Sequence, residues 1–277
     1  MLSPLKEEWT RLRAGAYRHL RPRHLATLVA ASARNRRGMR AYRVLSENEL
    51  RATRRSDTVF VFGSGRSLVE IAPQEWERIA ECDTISLREF PRQQWVRADY
   101  HLTGEVDDLE EYARRLRENP LYANTVFVVM GGLVAHMGNE LVGRRLLPPG
   151  ARVFRFHRVS RWRYAPPSST PRRLVHGPNS IFDGTNLAYA LGYRRIVLAG
   201  ADYYNKEYFW LDPGKTRDYE APGVRATEPW SQAETVVEMM SRWREELART
   251  GVELMVYNPR SLLAERLPVF RFEKVTA

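Results

Sequence analysis

The sequence predicts an α/β fold: a mostly parallel, Rossmann-like sheet with helices on both faces, preceded by a basic N-terminal helical arm. Two observations carry this. From residue 57 to residue 257, short apolar runs rich in β-branched and aromatic residues alternate with longer segments of helical periodicity, the pattern of repeated βαβ units. The first of these runs, Thr58–Phe62, is followed at once by the glycine-rich turn Gly63-Ser64-Gly65-Arg66-Ser67.

The elements follow in order. Residues 5–45 read as one or two helices, with Trp9, Leu12, Tyr17 and Leu20 at helical spacing, a break at Pro22 and a second helix from His24. The arm, residues 1–55, is dense in arginine and suits either an anionic membrane surface or a solvated basic face. Residues 56–277 form the α/β domain. In it, strands are predicted at Thr58–Phe62, Thr84–Leu87, Asp99–Leu102, Thr125–Met130, Val153–His157, Arg195–Ala199 and Glu253–Tyr257. Helices are predicted at Ala72–Glu81, with Pro73 in the first turn, at Asp107–Glu118, at Phe182–Leu191, closed by Gly192, and at Ser231–Thr250, closed by Gly251. Residues 160–178 and 203–229 are too long for simple connections, and the second reads as a lid or acceptor-binding insertion.

Composition narrows the function classes. A 277-residue chain that is 43% hydrophobic buries a substantial core. No apolar run is long enough to span a bilayer, and no signal-peptide pattern opens the chain. The single cysteine, Cys82, allows no internal disulfide framework and agrees with a reducing, cytoplasmic compartment, with or without attachment to the inner membrane face. The formal charge of +11 calls for anionic partners: nucleic acid, a membrane surface or phosphorylated substrates. Nucleic acid is disfavoured, because basic and aromatic residues do not interleave in any recognisable nucleic-acid module. Self-association into a homo-oligomer is left open.

Ligands of open α/β sheets bind beyond the carboxyl ends of the strands. That rule selects the turn Gly63–Ser67, Arg88-Glu89, Thr103-Gly104-Glu105 and Asp202-Tyr203. In the turn, glycines permit φ > 0 and close backbone approach, successive amides can form an anion-binding nest, and Ser64 and Ser67 add hydroxyl donors. It is neither a Walker loop nor a complete dinucleotide fingerprint. His176-Gly177-Pro178-Asn179-Ser180 precedes a helix: Asn179 or Ser180 caps it, or its N-terminus faces a phosphate with His176 as acid or base. Asp202 binds a hydroxyl, a base or a metal, or caps a turn. Lys206, Tyr208, Trp210 and Arg217, in the insertion, suit a sugar phosphate or a partner protein.

Three ordered segments carry a family resemblance. Val61-Phe62-Gly63-Ser64-Gly65-Arg66-Ser67-Leu68, followed by Asp83–Phe90, resembles the opening motifs of the bacterial sialyltransferases of glycosyltransferase family forty-two. Leu187–Tyr204 and Asn258-Pro259-Arg260-Ser261-Leu262-Leu263-Ala264 are similar to that family's later motifs. The same motifs occur in the wider group of 6-hydroxymethylpterin diphosphokinases and motility accessory factor proteins.

The sialyltransferase likeness implies a CMP-activated acidic sugar as donor, a glycan or membrane-linked acceptor, inversion at the anomeric carbon, and no metal or cofactor. It implies that Gly63, Ser64, Gly65 and Ser67 hold the cytidine and phosphate, and that Asp202 and Tyr203 line the nucleotide pocket. With them go Arg66, Arg88, Thr103 and Ser180 as nucleotide-site residues. Four departures stand out. Arg66 replaces the family's proline, and Arg88 falls on its nucleotide-contacting asparagine. No histidine occurs near Trp230-Ser231, where the family has its base, and the tyrosine that supports the leaving phosphate falls near Asp183. His176 is therefore the substitute base, with Asp183 beside it in the catalytic set. Two alternatives stand beside it: a catalytically altered nucleotide-binding homologue, and a pterin-type pyrophosphokinase, which requires ATP and Mg²⁺, with Asp202, Asp183 and Glu105 as candidate ligands.

Overall fold

The computed structural model describes residues 30, 33–104, 106–131, 137–160, 164–216, 225–229 and 232–272. Most of the predicted arm, together with Glu105, Arg217 and Trp230-Ser231, lies outside them.

Residues 33–39 are helical (α1). Strand β1, Arg43–Val44, then pairs in parallel with β6, so this part of the basic segment is an edge of the sheet. Helix α2, Glu47–Arg51, starts with a capping box: Ser46 accepts from the Glu49 amide, and the Glu49 carboxylate accepts from the Ser46 amide. Thereafter come β2 (Thr58–Phe62), α3 (Pro73–Ala80), β3 (Asp83–Leu87), β4 (Tyr100–Leu102), α4 (Leu109–Glu118), β5 (Val126–Met130), α5 (Met137–Gly143), β6 (Arg152–Ser160), β7 (Arg173–His176), α6 (Ser180–Leu191), β8 (Arg195–Ala199), α7 (Ala233–Ala248) and β9 (Glu253–Val256).

The sheet runs β1-β6-β5-β4-β3-β2-β8-β9, with β7 added on β6, and all its ladders are parallel. The fold class read from the sequence is therefore the one observed. Strands buried on both faces explain why their sequences are near-continuous apolar runs. Period two still sorts their side chains. Val59 and Val61 of β2, with Val126, Val128 and Met130 of β5, join α6 and α7 in one core. Phe60 and Phe62 face α3 on the other side, and Phe127 and Val129 face α4 and α5. Trp243 of α7 is fully buried, packs edge-on against Phe182 of α6 and donates its Nε1–H to Ala165 O at 2.8 Å.

Arg43–Val44, within the span read as helical, is a strand, and the helices Glu47–Arg51 and Met137–Gly143 carry no sequence expectation. Two further differences belong together. β6 runs to Ser160 rather than ending at His157, and Arg173–His176 is a strand. Residues 157–160 lie beyond β5 and would present an unpaired edge, which β7 fills in the register His157↔Arg173 to Ser160↔His176. This pairing needs residues 16 apart to meet, so no local pattern announces it.

Candidate active site

β2 is the switch point of the sheet. The chain proceeds from β2 outward through β3, β4, β5 and β6, then returns to place β8 on the opposite side of β2. The connections after β2 and β8 therefore leave in opposite directions and open a crevice at the carboxyl edge. A cleft of about 360 Å³ lies there, lined by Gly63, Ser64, Gly65, Arg88, Arg158, His176, Asn179, Ser180, Asp202, Tyr203, Lys206 and Tyr208, among others.

The glycine-rich turn is built for contact with the β8 turn. Gly63 N–H donates to Ala199 O and Gly65 N–H to Gly200 O, each at 2.7 Å. A Cβ on Gly63 would overlap Gly200 O, and one on Gly65 would overlap the Asp202 carboxylate. Neither glycine has positive φ. Close approach, one of the two reasons expected for these glycines, is the operative one, and the approach is to protein. With the amides of Gly63, Gly65 and Ser67 donating to protein acceptors, a nest of successive free amides does not form.

Asp202 ties three connections together. Its carboxylate accepts from Ser67 N–H (3.0 Å), Ser67 Oγ (2.5 Å) and Asn258 Nδ2 (3.0 Å), and it is only 3% exposed. Its main-chain oxygen accepts from Leu262 N–H. The later motif Asn258–Ala264 is thus joined to the first motif through one buried carboxylate. Carboxylates so engaged contribute by satisfying donors that would otherwise be buried alone.

The opposite wall is the start of α6. Asn179 caps the helix, its Oδ1 accepting from Ile181 N–H, while its Nδ2 donates to Tyr203 OH at 3.1 Å. Ser180, in the first turn, lines the cleft with its own N–H among the helix's unpaired donors. Burial raises the Tyr203 phenol, so it stays protonated at neutral pH. Three described non-glycine residues have positive φ: Arg88 (47°), Arg145 (57°) and Tyr203 (63°). Two of them line the cleft, which fits strain held at a working site.

His176, at the end of β7, meets Asp183, one turn into α6. Its Nδ1 lies 3.1 and 3.0 Å from the two carboxylate oxygens. Asp183 is 1% exposed and also accepts from Arg158: Nε at 3.3 and 3.1 Å, Nη2 at 2.7 Å. A carboxylate only accepts, so Nδ1 carries the proton and Nε2 presents a lone pair. That is the arrangement of an oriented general base.

Of the residues predicted from the sequence, Gly63, Ser64, Gly65, Arg88, His176, Ser180, Asp202 and Tyr203 meet at the cleft, with Asp183 directly behind His176. Three are placed elsewhere. Arg66 sends Nη1 to Leu211 O in the insertion, Ser67 is buried on Asp202, and Thr103 is buried at the end of β4 away from the cleft lining. Arg158 is the residue that sequence reasoning missed. Its signal was period two: it shares a sheet face with Phe154 and Phe156, the face that carries α6.

The insertion is anchored over the turn. Tyr208 pairs with Gly65, Phe209 N–H donates to Ser64 O, and Phe209 is buried against Phe90, Trp95 and Trp210. It carries Lys206, 9% exposed, into the cleft lining, with Glu228 Oε2 at 3.8 Å as its acidic neighbour. Among the described residues, no group of three or more His, Cys, Asp or Glu side chains gathers for a metal ion. No helix among them is long and apolar enough to cross a membrane.

Among solved structures, the chain is similar to the monofunctional alpha-2,3-sialyltransferase Cst-I from Campylobacter jejuni, at 15% identity and a TM-score of 0.49 over 82% of each chain. No protein-family model and no curated protein matches it.

Proposed function

We propose that this chain is a metal-independent, inverting glycosyltransferase that moves an acidic sugar from a CMP-sugar to a glycan or membrane-linked acceptor. The observation that carries this reading is His176 lining the switch-point cleft beside the N-terminus of α6, with Asp183 on its Nδ1 behind it. An oriented base beside an anion-favouring helix end is what sugar transfer from a nucleotide phosphate requires. His176 Nε2 takes the proton of the acceptor hydroxyl as its oxygen bonds to the anomeric carbon. The bond from that carbon to the phosphate oxygen breaks, and its electron pair leaves with CMP. The first turn of α6, Lys206 and the Tyr203 hydroxyl stabilise the departing phosphate. The three sequence segments that resemble the family-forty-two sialyltransferases add the choice of CMP.

The pyrophosphokinase alternative would call on Asp202 and Asp183 to hold Mg²⁺. Both have their oxygens in protein hydrogen bonds, to Ser67 and Asn258 and to Arg158 and His176. Glycosyl transfer makes no such demand on them.

Thermal shift with CMP in EDTA, against ATP with Mg²⁺, tests the reading. Stabilisation by CMP alone is expected, and stabilisation only by ATP with Mg²⁺ would sink it. A membrane-linked acceptor fits the exposed Arg36, Arg37 and Arg40, which stand near the exposed Val44. Replacing the three arginines by serine is expected to abolish co-sedimentation with anionic vesicles.

A further inference from the structure

We propose that Arg158 is the positioning residue of the base: it holds the Asp183 carboxylate in place, and through it sets the tautomer and aim of His176. This rests on the reading of His176 as the base. The geometry is specific. Two nitrogens of one guanidinium, Nε and Nη2, converge on the same carboxylate that His176 Nδ1 contacts. The planar fork of arginine matches a carboxylate in a way that a lysine ammonium does not.

Burial makes the partner necessary. Asp183 is 1% exposed, and a buried carboxylate left without its cation pulls its neighbours out of place. Were the Asp183 carboxylate displaced, nothing would hold a proton on Nδ1, and the imidazole would not be aimed with Nε2 toward the cleft. Arg158 therefore keeps the base competent without touching the acceptor proton.

Three separate elements meet in this relay: Arg158 from β6, His176 from β7 and Asp183 from α6. The sheet extension explains how. Arg158 lies on the part of β6 that pairs only with β7, two residues before the Ser160↔His176 register point. An ordinary βαβ crossover ending at His157 would leave Asp183 without its cation. The β6–β7 ladder thus serves the base as well as covering an edge.

The test replaces Arg158 in the full chain. For Arg158→Ala, kcat in CMP-sugar transfer is expected to fall about 100-fold, the low end of what a general base contributes, while KM for the donor stays unchanged. Added methylguanidine is expected to restore much of the loss, and Arg158→Lys to fall between the two. Proton NMR of the ligand-free protein should show a low-field His176 Nδ1 resonance that vanishes in Arg158→Ala and returns with methylguanidine. Retained CMP-induced stabilisation shows that the variant is folded; if it does not fold, the same readouts are taken on Arg158→Lys. Full kcat with an intact resonance would overturn the proposal. If the wild type transfers nothing from any CMP-sugar but the resonance still depends on Arg158, the functional reading fails and the positioning role stands.

Discussion

Two histidines, 75 positions apart in the chain, show how surroundings divide one side chain into two roles. His101, on β4, is wholly buried: Nδ1 meets Ser86 Oγ at 2.7 Å, Nε2 meets the Tyr112 hydroxyl, and Tyr122 OH donates to Ser86 Oγ. With no carboxylate beside it, burial pushes its pKa down to about 3, and both ring nitrogens are occupied. His176 keeps one nitrogen on a buried carboxylate and turns the other toward a cleft. The first can only hold the fold, whereas the second can move a proton. The difference lies in one carboxylate and one open side.

The sharpest way to break this comparison is to exchange the losses. His176→Gln is expected to lower kcat by about 100-fold or more with Tm unchanged. His101→Phe is expected to cost about 2–3 kcal/mol of stability, because Ser86 and Tyr112 lose their partner, with transfer per folded molecule unaffected. Activity lost in both variants, with Tm unchanged in both, would erase the distinction.

A comparable effect is expected at Asp202. Asp202→Ala strands the Ser67 and Asn258 donors and should cost about 2–3 kcal/mol, read as a lower midpoint in urea. A pure ligand-binding role would leave that midpoint in place.

The pH dependence of stability follows from the same burial. His101 has a folded-state pKa below its unfolded value, so below pH 6.5 the unfolded chain binds the proton first. Its contribution is complete above pH 6.5 and is lost at about 1.4 kcal/mol per pH unit as pH falls toward 3. Urea midpoints between pH 7 and pH 4 should show a shallower slope in His101→Phe than in the wild type. The smallest effect is expected for Tyr203→Phe, which removes the hydroxyl that Asn179 donates to: about 1 kcal/mol in stability, with a reduced shift on CMP addition.

How legible each feature was depended on its range in the chain. Thr58–Phe62 and Arg195–Ala199 were read with their observed bounds, because a buried parallel strand writes itself as a run of four or five apolar or β-branched residues. The turn after β2 and the residues after β8 were legible as site positions, since strand ends in an α/β sheet define where ligands go. β7 was not legible: Arg173–His176 carries only two apolar residues, and its partner is the far half of β6.

The sequence by itself determined the α/β class, the carboxyl-edge location of the cleft and the residue types available there, because these follow from local periodicity and strand punctuation. Only the tertiary structure decided their partners. Asp202 meets Ser67 across 135 positions, and Arg158 meets Asp183 across 25. Hydrogen bonds are made over about 3 Å between atoms that the chain's path alone brings together. For that reason Asp202, a candidate ligand in the sequence, became the tie between loops, and Arg158, unremarked there, holds the carboxylate that His176 contacts.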